Sequence, residues 1–113
     1  MKRLIAVCAI VALSGCSLLP RAHDPVMFNQ LVIVDIAVSK VNCEAPNWKP
    51  ALTASEQLSL YAKWRKDPQA DNLEGLEKHI ERMDKGGSKA FCEIGKRTAA
   101  GRISAARTAW EGR

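Results

Sequence analysis

From Asp24 onward, apolar positions recur three and four residues apart in runs separated by Pro, Gly and capping residues, the spacing of helices that bury one face. His23-Asp24-Pro25 reads as a helix start. Asp accepts hydrogen bonds from the free amides of a first turn, and Pro at the first helical position forfeits no bond. Beyond it, Met27, Leu31, Val34, Val38 and Val41 form an apolar seam. The Val- and Ile-rich piece Leu31–Val38 has a rival reading as a buried strand, because β-branched residues favour strands. The lack of clean alternation and the good cap favour helix. The two prolines of Glu44-Ala45-Pro46-Asn47-Trp48-Lys49-Pro50 then stop the pattern, so the helix is expected to end near Cys43 and a loop to follow.

Thr53-Ala54-Ser55-Glu56 has the spacing of a capping box and predicts a short second helix. Leu58, Tyr61 and Ala62 would lie on one side, with Leu60 and Trp64 beside them. It should end by Asp67-Pro68, which repeats the Asp-Pro start and opens a third helix. There Leu73, Leu76, Ile80 and Met83 make a narrow stripe, and Glu74, Glu77, Lys78 and Glu81 face water. Gly86-Gly87 stops this helix, because Gly enters the left-handed region without penalty. Ser88 caps the last helix, which gathers Cys92, Gly95, Ala99, Ile103, Ala106 and Trp110 on one mostly small face, with Trp110 closing the far end. No sequence repeat is apparent. The expected fold is all-α, a small bundle of three to four helices folding back on each other, spanning residues 24–113 as one unit.

The first 23 residues follow a different pattern. Lys2-Arg3, the apolar run Leu4–Leu13 and the small residues before Cys16 have the layout of a secretory signal, and the run is far short of the roughly 18 apolar residues that cross a bilayer. Leu13-Ser14-Gly15-Cys16 resembles the lipobox of bacterial lipoproteins. That resemblance implies a signal over residues 1–15, cleavage before Cys16, acyl chains on Cys16 and a membrane-anchored spacer over residues 16–23. Ser17, where a retention signal at the inner membrane would have Asp, points to the periplasmic face of the outer membrane. Each buried methylene contributes about 0.8 kcal/mol, and two or more chains hold a protein down where one does not.

Export changes the reading of the cysteines. Cys8 leaves with the signal and Cys16 is taken by lipid, so Cys43 and Cys92 remain as an even pair in an oxidising compartment. A Cys43–Cys92 disulfide is expected, with Trp48 placed to cover it; unpaired buried thiols or bridges between molecules are the alternatives. Closing that loop is worth roughly 4 kcal/mol in the chain-entropy model. The formal net charge of +5 falls to +3 when Lys2 and Arg3 depart with the signal, too little to imply a nucleic-acid partner.

No enzyme, metal site, cofactor or small-molecule substrate is expected. His23 and His79 stand apart from any Cys or His at a metal-site interval, and Glu77, Glu81 and Asp84 read as a solvated face. Neither a phosphate-cradling Gly loop nor a Gly-x-Ser-x-Gly elbow occurs. The last helix is basic. Lys89, Lys96 and Arg107 fall on one flank of its small-residue face, and Arg102 and Arg113 on the other. Long cations lying over a core edge are one reading. A docking surface of Lys96, Arg97, Arg102 and Arg107 for an acidic partner helix or anionic envelope material is the other. Lipobox and small size together resemble the outer-membrane spanin subunit of phages, the o-spanin. This implies a lysis protein that pairs with an inner-membrane coiled-coil subunit. Two other roles are a receptor-masking superinfection-exclusion lipoprotein bound to an outer-membrane protein, and a structural or adaptor lipoprotein of the bacterial envelope.

Overall fold

Asp24 starts the first helix. Its Oδ1 accepts from the amides of Val26 (3.0 Å) and Met27 (3.1 Å), and Pro25 occupies the first turn, where no donor is needed. In a computed structural model, which describes residues 22–113, this opens α1 (Pro25–Ser39), followed by α2 (Lys49–Trp64), α3 (Ala70–Asp84) and α4 (Lys89–Glu111). The chain is all-α over these residues, and Leu31–Val38 is helical. Cys16 and the signal and spacer readings lie outside the described residues up to position 21. Each helix packs antiparallel on the next and α4 closes against α1, giving an up-and-down four-helix bundle.

The core is built from the periodic seams. Met27, Leu31, Val34 and Val38 of α1, Leu73, Leu76, Ile80 and Met83 of α3, and Cys92, Ala99, Ile103, Ala106 and Trp110 of α4 are all buried. Gly95 is buried in the same α4 face, and the space a side chain would take there is filled by Met83, whose Cε lies 2.3 Å from where a Cβ would stand. A thioether, rather than a second helix backbone, therefore occupies the small-residue groove. His79 reaches α4 as well: its Nε2–H donates to the Gly95 carbonyl (2.9 Å).

The second helix departs from expectation. It begins at Lys49, not at the capping box, so Thr53 and Glu56 are interior helical positions. Pro50 sits in the first turn, and Asn47 Oδ1 accepts from the Lys49 amide (3.2 Å), so the second proline starts the helix instead of breaking it. Ser55 and Ser59 are buried with Ala51, Leu58 and Ala62, while Leu60 and Trp64 face outward. A helical hydroxyl can enter a core by bonding back to its own helix, as Ser55 does to the Leu52 carbonyl (2.9 Å). The third helix also starts late, at Ala70, because Asp67-Pro68 forms a turn before it. The first helix ends at Ser39, a turn before Cys43.

The sequence repeat that is missing is present as a repeat of contacts. Asp24 Oδ2 accepts from Tyr61 Oη (3.0 Å) and pairs with Arg65 (3.2 Å), both at the end of α2. Asp67, ahead of α3, accepts from the Gln69 amide (2.8 Å), from Trp110 Nε1 (3.1 Å) and from Arg113 Nη1 (2.5 Å), the last two at the end of α4. Each helical hairpin, α1–α2 and α3–α4, is thus clasped at its open end by an Asp-Pro carboxylate that holds an aromatic donor and an arginine. Burial pushes the Asp67 carboxyl up, but the bonds from Arg113, Gln69 and Trp110 outweigh it and hold the group below the ordinary aspartate value. At Asp24 burial likewise raises, and the Met27 amide, Tyr61 and Arg65 lower it further than burial raises it.

Asp67 is almost wholly enclosed, so Asp67→Asn leaves Arg113 without its counter-charge and should cost about 3 kcal/mol in denaturant unfolding. Because its folded value is depressed, this stabilisation is complete above the ordinary aspartate value and is lost as pH falls through the lower folded one; the substituted chain should lose less stability than the parent across that acid window. At the end of α2, the Asp67 amide bonds to the Ala62 carbonyl (3.0 Å) around Lys66, which has a φ of 52°. This is a left-handed cap of the kind glycine prefers, so Lys66→Gly should raise stability by about 0.5–1 kcal/mol, read as a higher denaturation midpoint.

Candidate interaction surface

At the opposite end of the bundle from the clasps, Cys43 in the α1–α2 loop is bonded to Cys92 in the first turn of α4 (Cα–Cα 5.7 Å). Trp48 is buried beside it, and both Trp48 and Cys92 line one small cavity under Gly86 and Gly87, whose φ values of 101° and 151° turn the chain into α4. Ser88 Oγ then accepts from the Phe91 amide (3.1 Å) and caps the helix. Two ion pairs, Lys89 with Glu44 and Lys49 with Asp84 (2.6 Å), link the same two hairpin loops.

The basic helix divides between two sides. Lys96 lies along the end of α1, where its Nζ donates to the carbonyls of Val41 (2.8 Å) and Ser39 (3.3 Å), a cation at the negative end of a helix dipole. Arg107 is on the same side, 3.7 Å from Glu111 and 3.5 Å from Ser104 Oγ. Arg97 is exposed on α4. Lys96 and Arg97 line a shallow α1–α4 groove of about 330 Å³ with Asp35, Glu93, Val38 and Ala100, and Arg107 continues it past Asp35, Phe28 and Ile103. Arg102 is elsewhere. It faces α3, where Nη1 donates to Asn72 Oδ1 (3.2 Å) and Asn72 Nδ2 returns a bond to the Arg102 carbonyl (3.0 Å). Its guanidinium lies over bare backbone at Gly75, 2.6 Å from where a Cβ would be. Lys96, Arg97 and Arg107 therefore belong to one groove and Arg102 to another side of the bundle.

The remaining candidates are placed by packing. The His23 ring packs at a tilt of 53° against Phe28 with centroids 5.6 Å apart, and Asp84 is drawn out of its acidic face by Lys49. Among the described residues no group of three or more His, Cys, Asp or Glu is arranged to hold a metal ion, and no helix is long and apolar enough to cross a membrane. Comparison with protein-family models, with curated proteins and with solved structures finds no match to this chain.

The groove has charged walls and a floor formed in part by Val38 and Ala100, so what it can do chemically is hold an apolar edge and pair charges around it. Its rigidity depends on the bridge, which fixes the loop following α1 to the start of α4 and so sets their separation. Replacing Cys43 and Cys92 by Ser should cost about 2–4 kcal/mol in reversible unfolding, and reducing agent should give the parent chain the same lowered midpoint.

Proposed function

We propose that this protein is a non-catalytic interaction module held by acyl chains on Cys16 to the periplasmic face of the outer membrane, where it binds another envelope protein. The reading is supported by the lipobox residues Leu13-Ser14-Gly15-Cys16 eight residues ahead of a folded domain, and by a disulfide of the kind that persists in oxidising compartments. The single observation that carries the binding role is the α1–α4 groove, with Lys96, Arg97 and Arg107 around an apolar floor. A partner helix with one apolar edge and charges of both signs beside it, acidic opposite Arg97 and Arg107 and basic opposite Asp35 and Glu93, has the matching chemistry.

The most specific form of this reading is spanin-like. The partner is an inner-membrane protein with a helical periplasmic part, and the two bridge the envelope during phage lysis. The module is tethered at one end and folded into a single rigid unit, a form suited to docking.

The test is crosslinking of the mature protein in intact envelopes followed by identification of what it captures. The spanin-like form expects a membrane-anchored coiled-coil protein, joined through the α1–α4 groove. Recovery of an outer-membrane protein would replace it with receptor masking, and recovery of the module alone would contradict both. Arg97→Gln with Arg107→Gln, which spares the Lys96 cap on α1, should weaken capture and flatten its salt dependence by the two lost charges. Unchanged capture and salt dependence would dismiss the groove.

A further inference from the structure

The first helix is apolar on nearly every side. Its seam enters the core, yet Val26, Ile33 and Ile36 on its outer surface are each about half exposed. A helix hydrophobic all round is normally buried all round. On neighbouring α2, Leu60 is also about half exposed and Trp64 is 75% exposed, and these two line a groove with Gln30, Gln57 and Tyr61. Two carboxylates border this α1–α2 face: Asp24, already held by Tyr61 and Arg65, and the exposed Glu56, one turn before Leu60. The far side of the bundle is of opposite character: α3 presents Lys78, Glu81 and Arg82 to solvent, all costly to take out of water. Lys63 and Lys66 flank Trp64 in the chain, Lys63 turning to Glu74 of α3 (3.4 Å), so the end of α2 has the composition of segments that sit at a membrane–water interface.

What covers this face is indicated by the length of chain ahead of it. Asp24 follows Cys16 by eight residues, which fully extended reach about 28 Å. Val26 and Trp64 lie at the clasped end, where that chain enters the bundle. We propose that the α1–α2 face, with Trp64, Leu60, Val26 and Ile33 as its contacts, lies on the lipid surface next to the Cys16 anchor, and so turns the α1–α4 groove sideways and the charged α3 side toward the periplasm. The proposal rests on the lipid-anchored reading for its tether and adds the orientation. A lipid surface fits better than a partner helix here because the face is apolar at its contacts, carries charge only at its border and lies within reach of the anchor, whereas the α1–α4 groove has the charges that would read a partner.

Trp64 supplies the readout, since Trp48 and Trp110 are both buried and only Trp64 can change its surroundings on contact. The acylated chain is placed on phosphatidylethanolamine–phosphatidylglycerol vesicles containing brominated acyl chains. In parallel, the Cys16→Ser chain with an N-terminal His tag is held on the same vesicles by a nickel-chelating lipid. The expected result in both arms is a blue shift and loss of Trp64 emission, absent in Trp64→Phe and abolished by Ile33→Asp with Leu60→Asp, two exposed substitutions that leave the fold intact by circular dichroism. Unquenched Trp64 on protein that is held to the vesicles would overturn the proposal, as would burial of Trp64 by a second copy in the absence of lipid. Failure of the cell-derived chain to float with vesicles, while the chelated chain is quenched, would count against the anchor and leave the face standing.

Discussion

Two carboxylates at one end of the bundle, Asp24 and Asp67, are the constraint on which the rest is arranged. Each stands at the entry to a helical hairpin and takes backbone amides from the residues that follow it. Each also reaches across to an aromatic donor and an arginine at the hairpin's other end. A local cap and a long-range tie are thus made by the same oxygen pair, so the start of one helix and the end of the next are fixed together. Asp67 carries the larger share, being nearly enclosed with Trp110 and Arg113, where charge-assisted bonds are strong and an unpaired group is costly.

The opposite end is held by different chemistry. A covalent bridge and two ion pairs join the loop of the first hairpin to that of the second. Exposed ion pairs contribute little each, so the bridge is the main tie there. With both ends fixed, the cross-section between them can be filled by small residues: Ser55 and Ser59 on α2, and Gly95 under Met83 on α4. A domain of this size has little core to spare, and the two stapled ends offset that.

Much of the fold was legible because it is periodic. The seams of α1, α3 and α4 named from spacing alone are the buried residues, and Asp24, Gly86-Gly87 and Ser88 act where helix-end chemistry puts them. The misses are partly local, at helix starts, and partly long-range. Thr53-Ala54-Ser55-Glu56 has the letters of a capping box, but Asn47 and Pro50 start the helix earlier and Ser55 goes into the core. Asp67 was legible as a punctuation mark but not as a buried anion, because its partners Trp110 and Arg113 lie over forty residues away. The two flanks of the basic helix were legible from its spacing, and grouping Arg102 with Lys96, Arg97 and Arg107 in one docking surface fails because Arg102 is claimed by Asn72 and the bare backbone at Gly75. Leu60 and Trp64 fall across the helix from Leu58 and Ala62 at 100° per residue, so their exposure follows the period, and what the sequence does not show is that no other element among the described residues covers them.

In the proposed function this doubly stapled body is joined to a short acylated tether, so that contact is its work and orientation its means. The mass of the intact protein recovered from cell envelopes tests that claim most directly. The account predicts a chain beginning at Cys16, heavier by its acyl chains and lighter by the two hydrogens lost in the Cys43–Cys92 bridge. A chain that keeps Met1, carries no lipid and has both thiols free would contradict it.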